Sequence, residues 1–277
     1  MALVLPKYGA MGFDNLVRLG KAEIVSASGA KPLFPASRLL DPHWSIDWRT
    51  IVANVQQSVK IRLMEEALPT QVGLINCNIA AGQFATLVGA DNEAMTTNAQ
   101  AWVLTAYAQT QRRTLRWYLG NADLPPGAGL PHLYWQWIFP ANGSTSDHYR
   151  VGNIWMSTYL DLVVGEDYDV TPTDPSAESV SDGGLSFFDV RDTFHQTSGS
   201  APLMTVAEAR AFRQKMDSLG RTNYVLLDYW ARSSDDALKA DGCYYGLLGR
   251  RGGEIANFRR VLPVRETMRY EFNEARG

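Results

Sequence analysis

A chain of 277 residues, 45% hydrophobic and 20% charged, has apolar material for two ordinary domain cores and too much of it for a disordered chain. Its formal net charge of −3 argues against the basic face by which proteins hold nucleic-acid phosphates. No apolar run approaches the roughly 20 residues that span a bilayer, and residues 1–13 lack the charged-then-apolar pattern of a signal peptide. The expectation is a protein that binds neither membrane nor nucleic acid and is made in a reducing cytoplasm. Its two cysteines, Cys77 and Cys243, are then buried thiols in separate domains.

From the start, glycine and proline punctuate short apolar stretches, the rhythm of an all-β region. Val59, Ile61 and Leu63 alternate with Lys60 and Arg62, which predicts a half-buried strand. Residues 71–78 form a continuous apolar run, as for a strand covered on both faces, and 84–88 follow after the Ala81-Gly82 turn. Residues 102–107 and 114–118 carry further β-formers. In 132–139 the alternation puts Leu133, Trp135, Trp137 and Phe139 on one face, and after a turn at 141–144 a strand returns over 149–156. No long helical period interrupts these strands, so a two-sheet sandwich is the natural way to bury them.

Residues 165–186 are acidic and rich in Asp, Ser, Pro and Gly, and read as a linker or extended arm. A helix is predicted over 205–219. Thr205 and Glu208 form a capping box, and Ala209, Phe212, Met216 and Leu219 make one apolar stripe. Strands are predicted over 224–230, 243–248 and 264–272, the last with Glu266 as the exception on its apolar side. The expected fold is mainly β: an N-terminal jelly-roll β-sandwich (1–164), an acidic linker (165–186) and a smaller α+β domain with one helix (187–277).

Two segments carry a resemblance. Residues 34–50 hold Leu39, Leu40, Asp41, Trp48, Arg49 and Thr50; residues 134–156 hold Tyr134, Trp137, Asn142, Gly143, Tyr149, Gly152 and Trp155. Together they are similar to the opening and closing strands of galactose-binding-like, discoidin-type jelly rolls. The Asp-Leu-Gly triplet common in the middle strand of that group is replaced here by Arg62-Leu63-Met64. A sandwich followed by a domain of about a hundred residues resembles proteins of bacteriophage tail tips and baseplates, and the second domain's element order resembles the split β-barrel of tail-tube and distal tail proteins. The resemblance implies a structural virion protein of the phage tail, assembled in the host cytoplasm. It would dock to other tail proteins and form a homo-oligomeric ring of six or three copies. The alternative is a carbohydrate-recognition module that binds a host-surface glycan.

The chemistry-bearing residues offer little to an enzyme. His43, His132, His148 and His195 lie in no nucleophile context, and the adjacent pairs Glu65-Glu66 and Asp235-Asp236 do not form a spaced carboxylate pair. Glu166, Asp167, Asp169 and Asp174 lack calcium-loop spacing, so no catalytic residue, metal or cofactor is expected. The acidic arm, with Glu166, Asp167, Asp169 and Asp182, and the basic Gly-rich loop with Arg250 and Arg251 are candidate interface residues of opposite charge. Trp48, Trp137 and Trp155 are expected in the core. Trp44 and Trp102, each with polar residues nearby, are the expected exposed aromatics. Arg49 is the nearest candidate functional side chain, expected to pair with Asp41 or Asp47. On these grounds a tight sugar site is not expected.

Overall fold

A computed structural model describes residues 9–43, 46–107, 114–119, 129–142, 147–164, 169–173, 176–180, 186–189, 194–219, 223–231, 233–249, 256–262 and 264–275. The protein is mainly β, as the strand periodicities predict. The first strands are β1 (Gly9–Phe13), β2 (Ala22–Ala27), β3 (Trp48–Arg49), β4 (Gln57–Ala67), β5 (Gln71–Ile75) and β6 (Phe84–Ala90). There follow β7 (Gln100–Thr105), β8 (Leu115–Tyr118), β9 (His132–Phe139), β10 (Arg150–Val151) and β11 (Asn153–Leu162). The later strands are β12 (Asp169–Thr173), β13 (Ala177–Val180), β14 (Ser186–Asp189), β15 (Phe194–Thr205), β16 (Tyr224–Asp228), β17 (Cys243–Leu248), β18 (Ala256–Leu262) and β19 (Arg265–Glu274). Two α-helices are described, α1 (Val206–Leu219) and α2 (Asp236–Asp241). Among the described residues no helix is long and apolar enough to cross a membrane.

The chain divides into two compact units. One comprises Gly12–Tyr159 with Ser233–Cys243; the other comprises Met1–Met11, Leu160–Arg232 and Tyr244–Gly277. The unit boundary therefore falls inside β1 and β11, and is crossed again on both sides of 233–243. A single cut after residue 164 is what the change in composition suggests.

The larger unit is a sandwich. An antiparallel sheet in the order β2-β4-β9-β6-β7 faces the strands β11-β5-β8. Val59 and Ile61 of β4, Trp135, Trp137 and Phe139 of β9, Leu74 of β5, Leu115 of β8 and Met156 of β11 belong to one buried cluster. The central strand β9 places Trp137 between Val59 and Leu87, and Trp135 between Ile61 and Gly89. At Gly89 a Cβ would lie 2.4 Å from the His132 ring and 3.0 Å from Trp135, so only glycine lets those rings approach. Trp48, Trp137 and Trp155 are fully buried, as expected. Trp155 also donates from its indole nitrogen to Gln71 Oε1 (3.0 Å) and Ser157 Oγ (2.8 Å).

In the smaller unit the strand order is β12-β15-β19-β17-β16, with β18 also paired to β19. The capping box of α1 forms as predicted: the Thr205 N–H donates to Glu208 Oε2 (2.8 Å) and the Glu208 N–H to Thr205 Oγ1 (3.2 Å). Ala209, Phe212 and Met216 are buried. Glu266 breaks the apolar face of β19 because Arg213 of α1 pairs with it. Three features differ from expectation. Part of the acidic arm is strand: β12 pairs with β15, and β13 with β14. The Asp235-Asp236 pair starts a helix, with Asp235 Oδ1 capping the N–H of Ala237 (2.8 Å). Val264, expected on the apolar face of the last strand, is 67% exposed, because β19 begins one residue later.

Candidate polar binding site at the β3–β10 end of the sandwich

The two segments that carry the family-like motifs meet at one end of the larger unit. Strands β3 and β10 pair antiparallel, with Arg49 opposite Arg150 and Trp48 opposite Val151. Trp48 and Val151 are buried and anchor the ladder. Two like charges directly opposite each other disfavour a pair of strands. Here Asp47, 3% exposed, intervenes. Arg49 Nε donates to both its carboxylate oxygens, at 3.0 and 3.1 Å. Arg150 Nε lies 3.6 Å from Oδ2, and Arg38 Nη1 reaches the Asp47 backbone oxygen at 3.4 Å.

The surrounding backbone is fixed by other strands. Asn153 of β11 donates from Nδ2 to the carbonyls of Leu39 (3.0 Å) and Asp41 (2.9 Å), which pins the short 3-10 helix Ala36–Leu40 that carries Arg38. Lys31 N–H bonds Arg49 O (2.9 Å) and Phe34 N–H bonds Lys31 O (2.8 Å), so a tight turn brings Phe34 under the arginines. The Arg49 guanidinium lies 4.0 Å from the Phe34 ring centroid and that of Arg38 5.1 Å. Asn78 donates to His148 O (2.7 Å) and accepts from the Arg150 N–H (2.8 Å), while Thr50 Oγ1 accepts the Tyr149 N–H (2.9 Å). Residues 148–150 are thereby held from both sides.

The electrostatics are one-sided. His148 is held below its ordinary range, first by partial burial and then by Lys31, Arg49 and Arg150, with Asp47 alone opposing. Lys31, Phe34, Arg38, Arg49, His148 and Arg150 all keep part of their surface open to solvent. The end thus offers several fixed cationic donors beside an aromatic ring, a set that can orient a polar ligand.

Of the residues singled out in the sequence, Arg49 lies in this site and takes the expected partner Asp47. The involvement of Phe34, Arg38, His148 and Arg150 was missed; the available signal was that Tyr149 and Thr50 both belong to motifs expected to close one sandwich. Trp102 corrects an expectation. It is only 6% exposed and stacks on Trp135 at 5.6 Å, because the alternation of β7 turns it inward and its neighbours Ala101 and Val103 outward. Trp44 lies outside the described residues, as do Glu166, Asp167, Asp174, Asp182, Arg250 and Arg251, which include most of the candidate interface residues of opposite charge. Asp169 opens β12 opposite Ser198 and accepts from Thr171 Oγ1 (3.2 Å). Both cysteines are buried thiols, but Cys243 falls in the segment grouped with the sandwich. His132 pairs with Asp91 (2.7 Å) and His195 with Glu274 (2.7 Å). Among the described residues no group of three or more His, Cys, Asp or Glu side chains could hold a metal ion.

No family profile and no curated protein matches the sequence. Among solved structures the chain is similar to the chitosan-binding module 1 derived from a chitosanase/glucanase of Paenibacillus sp. IK-5. That likeness has 17% identity over 52% of this chain and 98% of that one, with a TM-score of 0.39. The family 32 carbohydrate-binding module of C. perfringens NanJ, in complex with galactose, gives 9% identity, 54% and 99% coverage and a TM-score of 0.38. The lectin domain of lectinolysin, complexed with Lewis B antigen, gives 13%, 52% and 96%, and 0.38. By their descriptions these neighbours are carbohydrate-binding modules and a lectin domain. Nothing in the comparisons points to a tail protein.

Proposed function

We propose that the sandwich unit is a carbohydrate-recognition module whose site is the β3–β10 end. This reverses the expectation that no tight sugar site is present. The observation that supports it is the fixed set Arg38, Arg49, His148 and Arg150 around Asp47, with Phe34 beneath two of the arginines. Sugars present several hydroxyls in fixed directions, and a site that discriminates among them needs polar side chains that do not rearrange. Here the side chains stand on a ladder and on loops tied by Asn78, Asn153 and Thr50, so little ordering entropy is lost on binding. The site contains no nucleophile with its base, and binding is the activity proposed.

The test is a glycan array probed with the full chain, repeated with Arg150→Ala. A defined set of glycans bound by the natural protein and lost in the variant supports the module. An array without signal above background, or one that Arg150→Ala leaves unchanged, overturns it. Residence in a phage tail, with a ring of six or three copies, is a separate proposal: such a protein could use this same site on a host-surface glycan. Imaging of virions labelled on this chain would test it.

A further inference from the structure

Resting on the glycan-binding reading, we propose that the sugar bound at the β3–β10 end is anionic, its carboxylate or sulfate group held between Arg49 and Arg150 beside His148. The charge inventory leads there. Around His148 stand Lys31, Arg49 and Arg150, and the one carboxylate acting against them is Asp47. Asp47 is already engaged by Arg49 through Nε, by Arg150 at 3.6 Å and, through its backbone oxygen, by Arg38. Asp41, the next carboxylate along the chain, accepts the His43 N–H at 2.8 Å. Asp147 precedes His148 on the exposed surface. Lys31, Arg38, Arg49 and Arg150 stand against Asp41, Asp47 and Asp147, and the charges that act most strongly on His148 are predominantly positive.

Guanidinium groups suit this task, because their planar edges present two parallel donors to an oxyanion. Arg49 spends Nε on Asp47 and sits over the Phe34 ring, so its guanidinium is placed before any ligand arrives. Arg150 is fixed through its backbone by Asn78 and touches Asn76 Oδ1 from Nη2 at 3.4 Å. A neutral sugar would leave this positive field uncompensated. An anion entering it also favours the protonated form of His148, which partial burial and the neighbouring cations disfavour. Binding is therefore linked to proton uptake, and affinity rises as pH falls from 7 towards 5 while a uronate stays ionised.

The experiment uses the full chain and titration calorimetry with four probes: a galacturonate oligomer, its methyl ester, a sulfated galactose oligomer and phosphatidylserine vesicles. The expected result is binding of the galacturonate or sulfated oligomer, weakened by salt, with the methyl ester at least about tenfold weaker, the size of one lost charge-assisted hydrogen bond. Which acidic oligomer binds tells carboxylate from sulfate. Arg150→Gln should lower that affinity about tenfold or more. Lys31→Gln, which leaves the β3–β10 ladder intact, gives a smaller loss and covers the case in which Arg150→Gln does not fold. His148→Asn should abolish the pH dependence. Equal binding of ester and acid overturns the anionic ligand but leaves the glycan module standing. Binding of vesicles alone, or of none of the four probes when the array does show glycans, also overturns it.

Discussion

Two ends of the same sandwich handle a carboxylate in opposite ways. In the loop between β6 and β7, Asp91 accepts from the His132 ring at 2.7 Å and from Asn98 Nδ2 at 2.6 Å. Its neighbour Asn92 accepts the N–H groups of Thr96 and Thr97 (2.9 and 3.0 Å), and Asp91 N–H bonds Thr97 O. That loop directs its polar groups at itself. At the β3–β10 end, Asp47 instead engages Arg49 and Arg150 through its carboxylate and Arg38 through its backbone oxygen, and cations predominate around it. The contrast teaches that hydrogen-bonded order alone does not mark a site. A polar cluster that closes on itself holds a turn; one with surplus charge of a single sign has something left to offer a partner.

The largest expected effect breaks the second arrangement. Asp47→Asn leaves the cations facing one another at a nearly buried position, and should cost on the order of 3 kcal/mol in urea unfolding. Added sulfate should restore more stability to this variant than to the natural protein. A variant as stable as the parent would show that the carboxylate does not hold the ladder. Asn92→Ala should cost about 1 kcal/mol by the same measurement, since two N–H groups lose their acceptor, and should leave glycan binding untouched. As a reference outside the sandwich, Thr205→Ala removes one half of the α1 capping box and should also cost about 1 kcal/mol.

The smallest effects separate the two ends by pH. Hydrogen bonds from His132 and Asn98 hold the Asp91 carboxyl below its usual value of 3.8. Its stabilising contribution is present above that value and is lost as pH falls through the lower folded value. Asp91→Asn should flatten the stability curve below about pH 4 and nowhere else. His148 is shifted the same way but with the opposite consequence for its charge: the fold favours its neutral form, so stability declines as pH falls through 6.5. His148→Asn should flatten the curve as pH falls below about 6.5. Thermal melts at stepped pH would read both. A response of both variants in one window would dissolve the distinction.

Much of the sandwich was legible because period-two alternation survives in single sequences: β4 and β9 read directly, and burial follows their pattern. Trp102 misled because polar residues near it, Gln100 and Thr105, say nothing about which face a strand turns inward; its immediate neighbours Ala101 and Val103 are the exposed ones. The helix α2 was hidden by its brevity, six residues with an aspartate cap that reads equally as a turn. Of the site, Arg49 and its bond to Asp47 could be read from proximity in sequence. Arg150 and His148 could not, because their approach depends on the β3–β10 ladder, which joins residues about a hundred positions apart.

The placement of Ser233–Cys243 within the sandwich unit, where Ala240 enters its buried core, sets an order on the making of this protein. On the ribosome, residues 12–159 emerge long before the piece that completes them. At roughly 5–20 residues per second, translating from residue 160 to 243 takes on the order of 4–17 s. For that interval the nascent sandwich lacks α2, the element whose Lys239 carbonyl receives the buried Arg116 guanidinium. A stop codon introduced before residue 233 should therefore yield a sandwich that is aggregation-prone, even though the strands β2-β4-β9-β6-β7 and β11-β5-β8 have all been synthesised.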